Sequence, residues 1–220
     1  MGPMSLAART ALSRKRVVAR RRALAAGAVV LALVGGVAAW RMASSPEDPL
    51  LPSEIPGTSS WAAEHYGDPD ARRFEDRHIV GIEFLGRTMF VHRKAQRHFL
   101  RLERLFEARA PEYAAAVPLG EFDDWSYENR IIRGEVTGKS NHAYGLAIDV
   151  NALTNVLGTT GDMSAEVVMQ WEAEGGDWGG DWSRPDPMHF ETHLTPQQIR
   201  ERYHPDGTPR AWYLEELVGG

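Results

Sequence analysis

"SNHAYGLAIDVN", residues 140–151, sets a histidine and an aspartate seven positions apart around an apolar run. Gly145 permits a turn, after which Leu146 to Val150 reads as a short buried strand. Alternation puts Leu146, Ile148 and Val150 on one face and Ala147, Asp149 and Asn151 on the other. Asp149 therefore faces away from the apolar row, and His142 can reach back toward it from the preceding loop. Further along, "RPDPMHFETH" (184–193) brings Asp186, His189, Glu191 and His193 close together. Pro187 and Pro196 disfavour a helix through this segment, and it matches neither H-E-x-x-H nor H-x-x-E-H. It reads as a second strand in which His189, Glu191 and His193 share a face. Two imidazoles and a carboxylate make a three-ligand set that suits one catalytic zinc ion, with the fourth position left open. His193 adjoins the cap of the next helix and is read outside that set. His65, His78, His92, His98 and His204 have no ligand context and are read as structural.

Around these two segments the chain alternates helices and short strands. Residues 78–94, "HIVGIEFLGRTMFVHRK", carry the β-branched and aromatic content of one or two strands turning at Gly86-Arg87. Within 91–110 the apolar Phe99, Leu100, Leu102, Leu105 and Phe106 recur at helical spacing, and Pro111 closes the helix. "EFDDWSYENRIIRG" (121–134) reads as a strand or hairpin. "SAEVVMQWEAEG" (164–175) reads as a helix capped by Ser164 and stopped by Gly175. Thr195-Pro196 is a good N-cap and first-turn pair for a last helix to about Tyr203. The mixture implies an α+β domain over 61–220.

The remainder of the chain is of another kind. Formal charge is −5, but residues 1–41 hold eight basic residues and no acid, leaving 17 basic against 30 acidic groups in the rest. So acidic a body argues against nucleic acid as a partner, since phosphate binding needs clustered Lys and Arg. The basic segment 1–22 instead precedes "ALAAGAVVLALVGGVAAW" (23–40), which has no charged residue. This predicts an N-terminal transmembrane helix, a signal anchor, with the body outside the cytoplasmic membrane. Val37 to Ala39 offers a small-x-small cleavage site, so a secreted form stays open. Residues 41–60, rich in Pro, Ser and acid, read as a linker. With no cysteine in the chain, disulfides and thiolate zinc sites are excluded.

Together, "SNHAYGLAIDVN" and "GGDWGGDWSRPDPMHFE" closely resemble the M15 zinc peptidases, which include VanY-like D-alanyl-D-alanine carboxypeptidases and phage L-alanyl-D-glutamate endolysins. The resemblance covers roughly Phe90 to Tyr203. It implies a short antiparallel sheet with flanking helices, carrying the metal on its open face. It also implies that His142, Asp149 and His189 hold the zinc ion and that Asp186 is the catalytic carboxylate. The aspartate at 186 is like the endolysin branch; the carboxypeptidases resemble E-x-x-H at this point. Ser140 matches the serine before the first ligand and would orient substrate or the loop. "NRIIRG" resembles the family's R-x-x-R-G, so either Arg130 or Arg133 would stabilise the oxyanion. Arg130 is preferred and Arg133 assigned to substrate binding, with alternation putting the two on opposite faces if the segment is a strand. Trp182, with Trp178, would form an aromatic wall of the cleft, and Glu191 could hydrogen-bond a ligand imidazole.

The implied activity is hydrolysis of a peptide bond in the peptidoglycan stem, with stem peptides as the partner and the membrane reached through the N-terminal helix. Two alternatives are an inactive, membrane-tethered wall-binding module and a scaffold whose zinc is structural. The latter would need a fourth protein ligand, for which His193 is the obvious residue.

Overall fold

Thr58 adopts extended backbone and its hydroxyl accepts a hydrogen bond from the Trp61 amide, so helix α1 (Ser59–Tyr66) starts just inside the stretch read as linker. In the computed structural model, residues 55–111, 114, 125–134 and 136–219 are described. The basic segment, the apolar stretch 23–40 and most of 41–60 lie outside them. Among the described residues, no helix is long and apolar enough to cross a membrane.

After α2 (Phe74–His78), β1 (Ile79–Phe84) and β2 (Arg87–His92) form an antiparallel hairpin with Phe84 opposite Arg87. Its turn is Leu85-Gly86, one residue earlier than the sequence suggests, and both residues have positive φ (49° and 80°). Two such residues give the twist that matches flanking strands. Helix α3 (Gln96–Arg109) is shorter than the 91–110 window, because Val91 and His92 belong to β2. It buries His98, Phe99, Leu102, Leu105 and Phe106. Each of its large apolar side chains contributes about 1.5–3 kcal/mol by leaving water.

A second sheet carries the residues of interest. It is built from β3 (Ala147–Asp149), β4 (Gly176–Trp178) and β5 (His189–Thr192), ordered β3-β5-β4 and antiparallel throughout. Among the described residues the fold is thus α+β, with two small antiparallel sheets where one was expected. Segment 125–128 joins them: the Phe90 amide donates to Ser126 Oγ (2.9 Å), the Tyr127 amide to the Phe90 carbonyl (3.0 Å), and Trp125 pairs with Asp149 in both directions. Of the expected strand or hairpin over 121–134, the described residues 125–134 make only isolated bridges, Trp125↔Asp149 and Ile131↔Lys139, and 121–124 lie outside the described residues.

Across β5, Phe190 pairs with Ile148 and Trp178, and His189 with Asp149. Phe190 and Ile148 enter the core beside Phe106 and Trp171, while His189 and Asp149 point the other way. Helix α4 (Ala165–Ala173) begins after Ser164, whose side chain makes no capping bond. Helix α5 (Pro196–Arg202) has a full capping box between Thr195 and Gln198. It is not the last helix; α6 (Ala211–Gly219) follows, burying Tyr213. Four of these helices meet at Glu174, which is fully buried. Its carboxylate accepts from Arg101 on α3 (2.6–3.2 Å), Gln170 on α4 (2.9 Å) and the Tyr203 hydroxyl after α5 (2.9 Å). Its carbonyl accepts from Tyr213 on α6.

Candidate metal centre

Each member of the His142, Asp149 and His189 set is delivered by a different local device. His142 lies in a 3₁₀ turn (Asn141–Tyr144) capped by Ser140, whose Oγ accepts from the His142 amide. Ser140 is buried and is occupied by this cap. The turn ends at Gly145, φ 68°, where a Cβ would stand 2.5 Å from the His92 amide nitrogen, so only glycine fits. Asp149 closes β3, and His189 opens β5 directly opposite it.

Three atoms then converge. His189 Nδ1 is 3.0 Å from Asp149 Oδ1 and 3.2 Å from His142 Nε2, which is 3.3 Å from the same Asp149 oxygen. The outer ring nitrogens are already committed. His142 Nδ1 donates to the Ser126 carbonyl (2.7 Å), and His189 Nε2 donates to Glu191 Oε2 (2.9 Å). With the outer nitrogens so bonded, a neutral ring turns its inner lone pair toward Asp149, and acceptors so placed need a cation, whether a proton or a metal. Metal–ligand bonds of about 2.0–2.1 Å in a tetrahedron put neighbouring donors roughly 3.3 Å apart, and the observed triangle has that size. The residues present fit zinc.

Electrostatics agree. Burial would raise the Asp149 carboxyl, but the charge and hydrogen bond of His142, with those of His189, hold it well below the usual carboxylate range. Burial would lower His189, but bonds to Asp149 and Glu191 outweigh it and push the imidazole up to about 10. The pocket thus holds a positive charge, supplied by a proton or by a metal.

Asp186 sits on the same cleft, its amide bonded to the Gly179 carbonyl and its carbonyl accepting from the His189 amide (3.0 Å). A Cβ on Gly179 would lie 2.6 Å from the Asp186 carbonyl oxygen and 3.0 Å from His189 Cβ, so glycine there permits the close approach. Asp186 Oδ1 is buried and has no hydrogen-bond partner. Burial raises its carboxyl, opposed mainly by the charge of His189 and less by His142 and Arg133.

The cleft, about 860 Å³, is also lined by Arg130, Arg133, Lys139, Ser140, Trp182 and Arg184. Both arginines of "NRIIRG" face it, contrary to strict alternation, because the segment turns at Arg133-Gly134 and is not a regular strand. Arg130 Nε is 3.0 Å from Glu128, whereas the charge of Arg133 reaches Asp186. The Trp182 ring lies 5.0 Å from that of His189 and is anchored by its Nε1–H to Asp177 (2.8 Å).

His193 is no part of this triangle, its Nε2 donating to Glu191 Oε1 at 2.7 Å. Asp177, Glu191 and His193 also lie within metal-binding distance of one another, but that proton already joins the last two. The five remaining histidines stay outside both groups. His92 and His98 are core residues, His78 stacks on His92, and His65 packs on Trp61. Sequence reading overlooked Ser126, whose contribution is a backbone carbonyl, and Asn141, which donates to Glu191 (2.8 Å).

A model of the M15 peptidases, described as D-alanyl-D-alanine carboxypeptidase, matches residues 133–192. The match takes in all three converging residues and Asp186, begins at Arg133 and leaves Arg130 outside. It supports an M15-family peptidase, over a narrower span than the motif resemblance. No solved structure matches the chain significantly.

Proposed function

We propose that the protein is a zinc-dependent peptidase hydrolysing peptide bonds of the peptidoglycan stem on the outer side of the bacterial cytoplasmic membrane. The observation that carries this reading is the convergence of His142 Nε2 and His189 Nδ1 on one Asp149 oxygen, beside the unpartnered Asp186 Oδ1 on the same cleft. When bound, zinc supplies Lewis acidity, lowering the pKa of water and polarising a carbonyl. The chain's own residues do the rest. Asp186, kept basic enough by burial, accepts a proton from the attacking water and returns it to the leaving amine. Arg133 stands free to steady negative charge on the substrate, a role that the Glu128 contact makes less available to Arg130. Trp182 supplies an apolar wall over His189.

A structural zinc would need a fourth protein ligand. The described residues bring three together, and His193 is engaged elsewhere. This favours a catalytic over a structural metal. Export through the apolar segment 23–40 would place the domain beside its polymer. The test is mass spectrometry of defined muropeptides incubated with the zinc-loaded full-length protein. Loss of a terminal alanine identifies a carboxypeptidase, and release of a longer peptide an endopeptidase. A folded, zinc-loaded protein that cleaves neither would defeat the proposal.

A further inference from the structure

Glu191 is buried and accepts from the ligand His189, as the sequence suggested, but its other contacts reach further. Three donors surround its carboxylate. Oε2 accepts from His189 Nε2 (2.9 Å) and Asn141 Nδ2 (2.8 Å), and Oε1 accepts from His193 Nε2 (2.7 Å). Both oxygens are taken up by donors, so the group serves its neighbours as an acceptor. Asn141 precedes His142 in the chain, and Glu191 follows His189 by two on the same face of β5. The Asn141–Glu191 bond therefore ties the turn carrying one imidazole to the strand carrying the other. Asn141 is fixed in turn, its Nδ2 also donating to the Gly57 carbonyl (3.0 Å).

We propose that Glu191, braced by Asn141 and His193, is a positioning residue: its carboxylate fixes the His189 tautomer and, through Asn141, the separation of the two imidazoles that receive the metal. It acts through His189 and touches no reacting atom. The inference rests on reading His142, Asp149 and His189 as a zinc site, but its readout is metal affinity and not hydrolysis.

Carboxylates and amides behind ligand histidines typically tune metal affinity by about 10–100-fold. Glu191→Gln keeps the size and can still accept from His189 and Asn141 by turning its NH₂ toward His193, so the charge and the His193 donation are lost while the strut is kept. Glu191→Ala loses both charge and strut. Zinc affinity by chelator competition should therefore fall about 10-fold in the first and about 100-fold in the second. The visible bands of the cobalt-substituted protein should shift in the same order. Glu174→Gln, altering a buried carboxylate that takes no part in the site, serves as the control: it should lower Tm and leave zinc affinity alone.

Zinc affinity in both Glu191 variants within about twofold of the parent, with superimposable cobalt spectra, would overturn the proposal. So would an equal loss in Glu174→Gln, which would make the effect one of general stability. If neither Glu191 variant folds, Asn141→Ser removes the strut alone, and unchanged zinc affinity there overturns the proposal equally. A parent that binds zinc tightly but cleaves no stem peptide defeats the proposed function and leaves this measurement intact.

Discussion

Glu174 and Asp149 are both buried carboxylates at the end of a regular element, and they could hardly be provided for more differently. Every interaction around Glu174 is donor to acceptor: Arg101 clamps it through two nitrogens, and Gln170 and Tyr203 complete it. Around Asp149 the neighbours are two ring nitrogens whose rings are bonded outward through their other nitrogens, to Ser126 and Glu191. The first centre is saturated and so is cement for four helices. The second brings together three atoms that can all act as acceptors, balanced only by a proton or a metal, and that need is what makes it a place for a cation. Burial and charge do not separate a structural polar cluster from a working one; the balance of donors against acceptors does.

The comparison can be broken most sharply at His189. His189→Ala should abolish zinc retention and hydrolysis together, read by metal analysis and muropeptide turnover; retained zinc would mean that the convergence is not the metal site. Next comes Asp186→Asn, expected to lower kcat by about 10²–10⁴-fold while zinc content stays that of the parent. A parallel loss of zinc would turn Asp186 from a proton carrier into a ligand. Glu174→Ala should invert this pattern. It leaves the Arg101 charge buried and unpaired, a cost of about 3–5 kcal/mol in denaturant unfolding, with kcat per folded molecule preserved.

The smallest effect concerns the neutral core imidazoles. Burial pushes His92 down to about 3 and His98 well below its usual value, whereas an unfolded histidine titrates near 6.5. Between those values the unfolded chain carries protons that the folded one refuses, so stability falls as pH drops from 6.5 toward 3. The slope is at most about 1.4 kcal/mol per pH unit for each histidine. It should be read in chelated protein between about pH 5 and 6.5, above the range in which carboxylates titrate. His92→Gln should flatten it; an unchanged slope would assign the acid sensitivity elsewhere.

How much of this was legible in the sequence follows from the kind of signal each part leaves. The three converging side chains are distinctive residue types on two short motifs, and alternation alone placed Asp149 opposite the apolar row. Glu191 was legible as a face but not as a depth, since alternation says which side a residue takes and not what will cover it. Ser126 left no signal, because a carbonyl acceptor can come from any residue. The single expected sheet became two because segment 125–134 bridges neighbours through isolated pairs, and pairing of that kind has no periodicity to read. Helix α6 escaped because Trp212, Leu214 and Val218 are exposed while Tyr213 is buried, so its apolar residues do not mark one face.

Strand β5 lies between its two neighbours and alternates without a spare residue: His189 and Glu191 to one side, Phe190 and Thr192 to the other. A slip of one position would drive an imidazole and a carboxylate into the aromatic layer and strand Phe190 in the cleft. The strand has no tolerable misalignment, so only a correctly assembled molecule brings the three metal-binding candidates together. On the proposed function, metal uptake would therefore also be an inspection of the chain's own folding, and misassembled copies would be inert by construction.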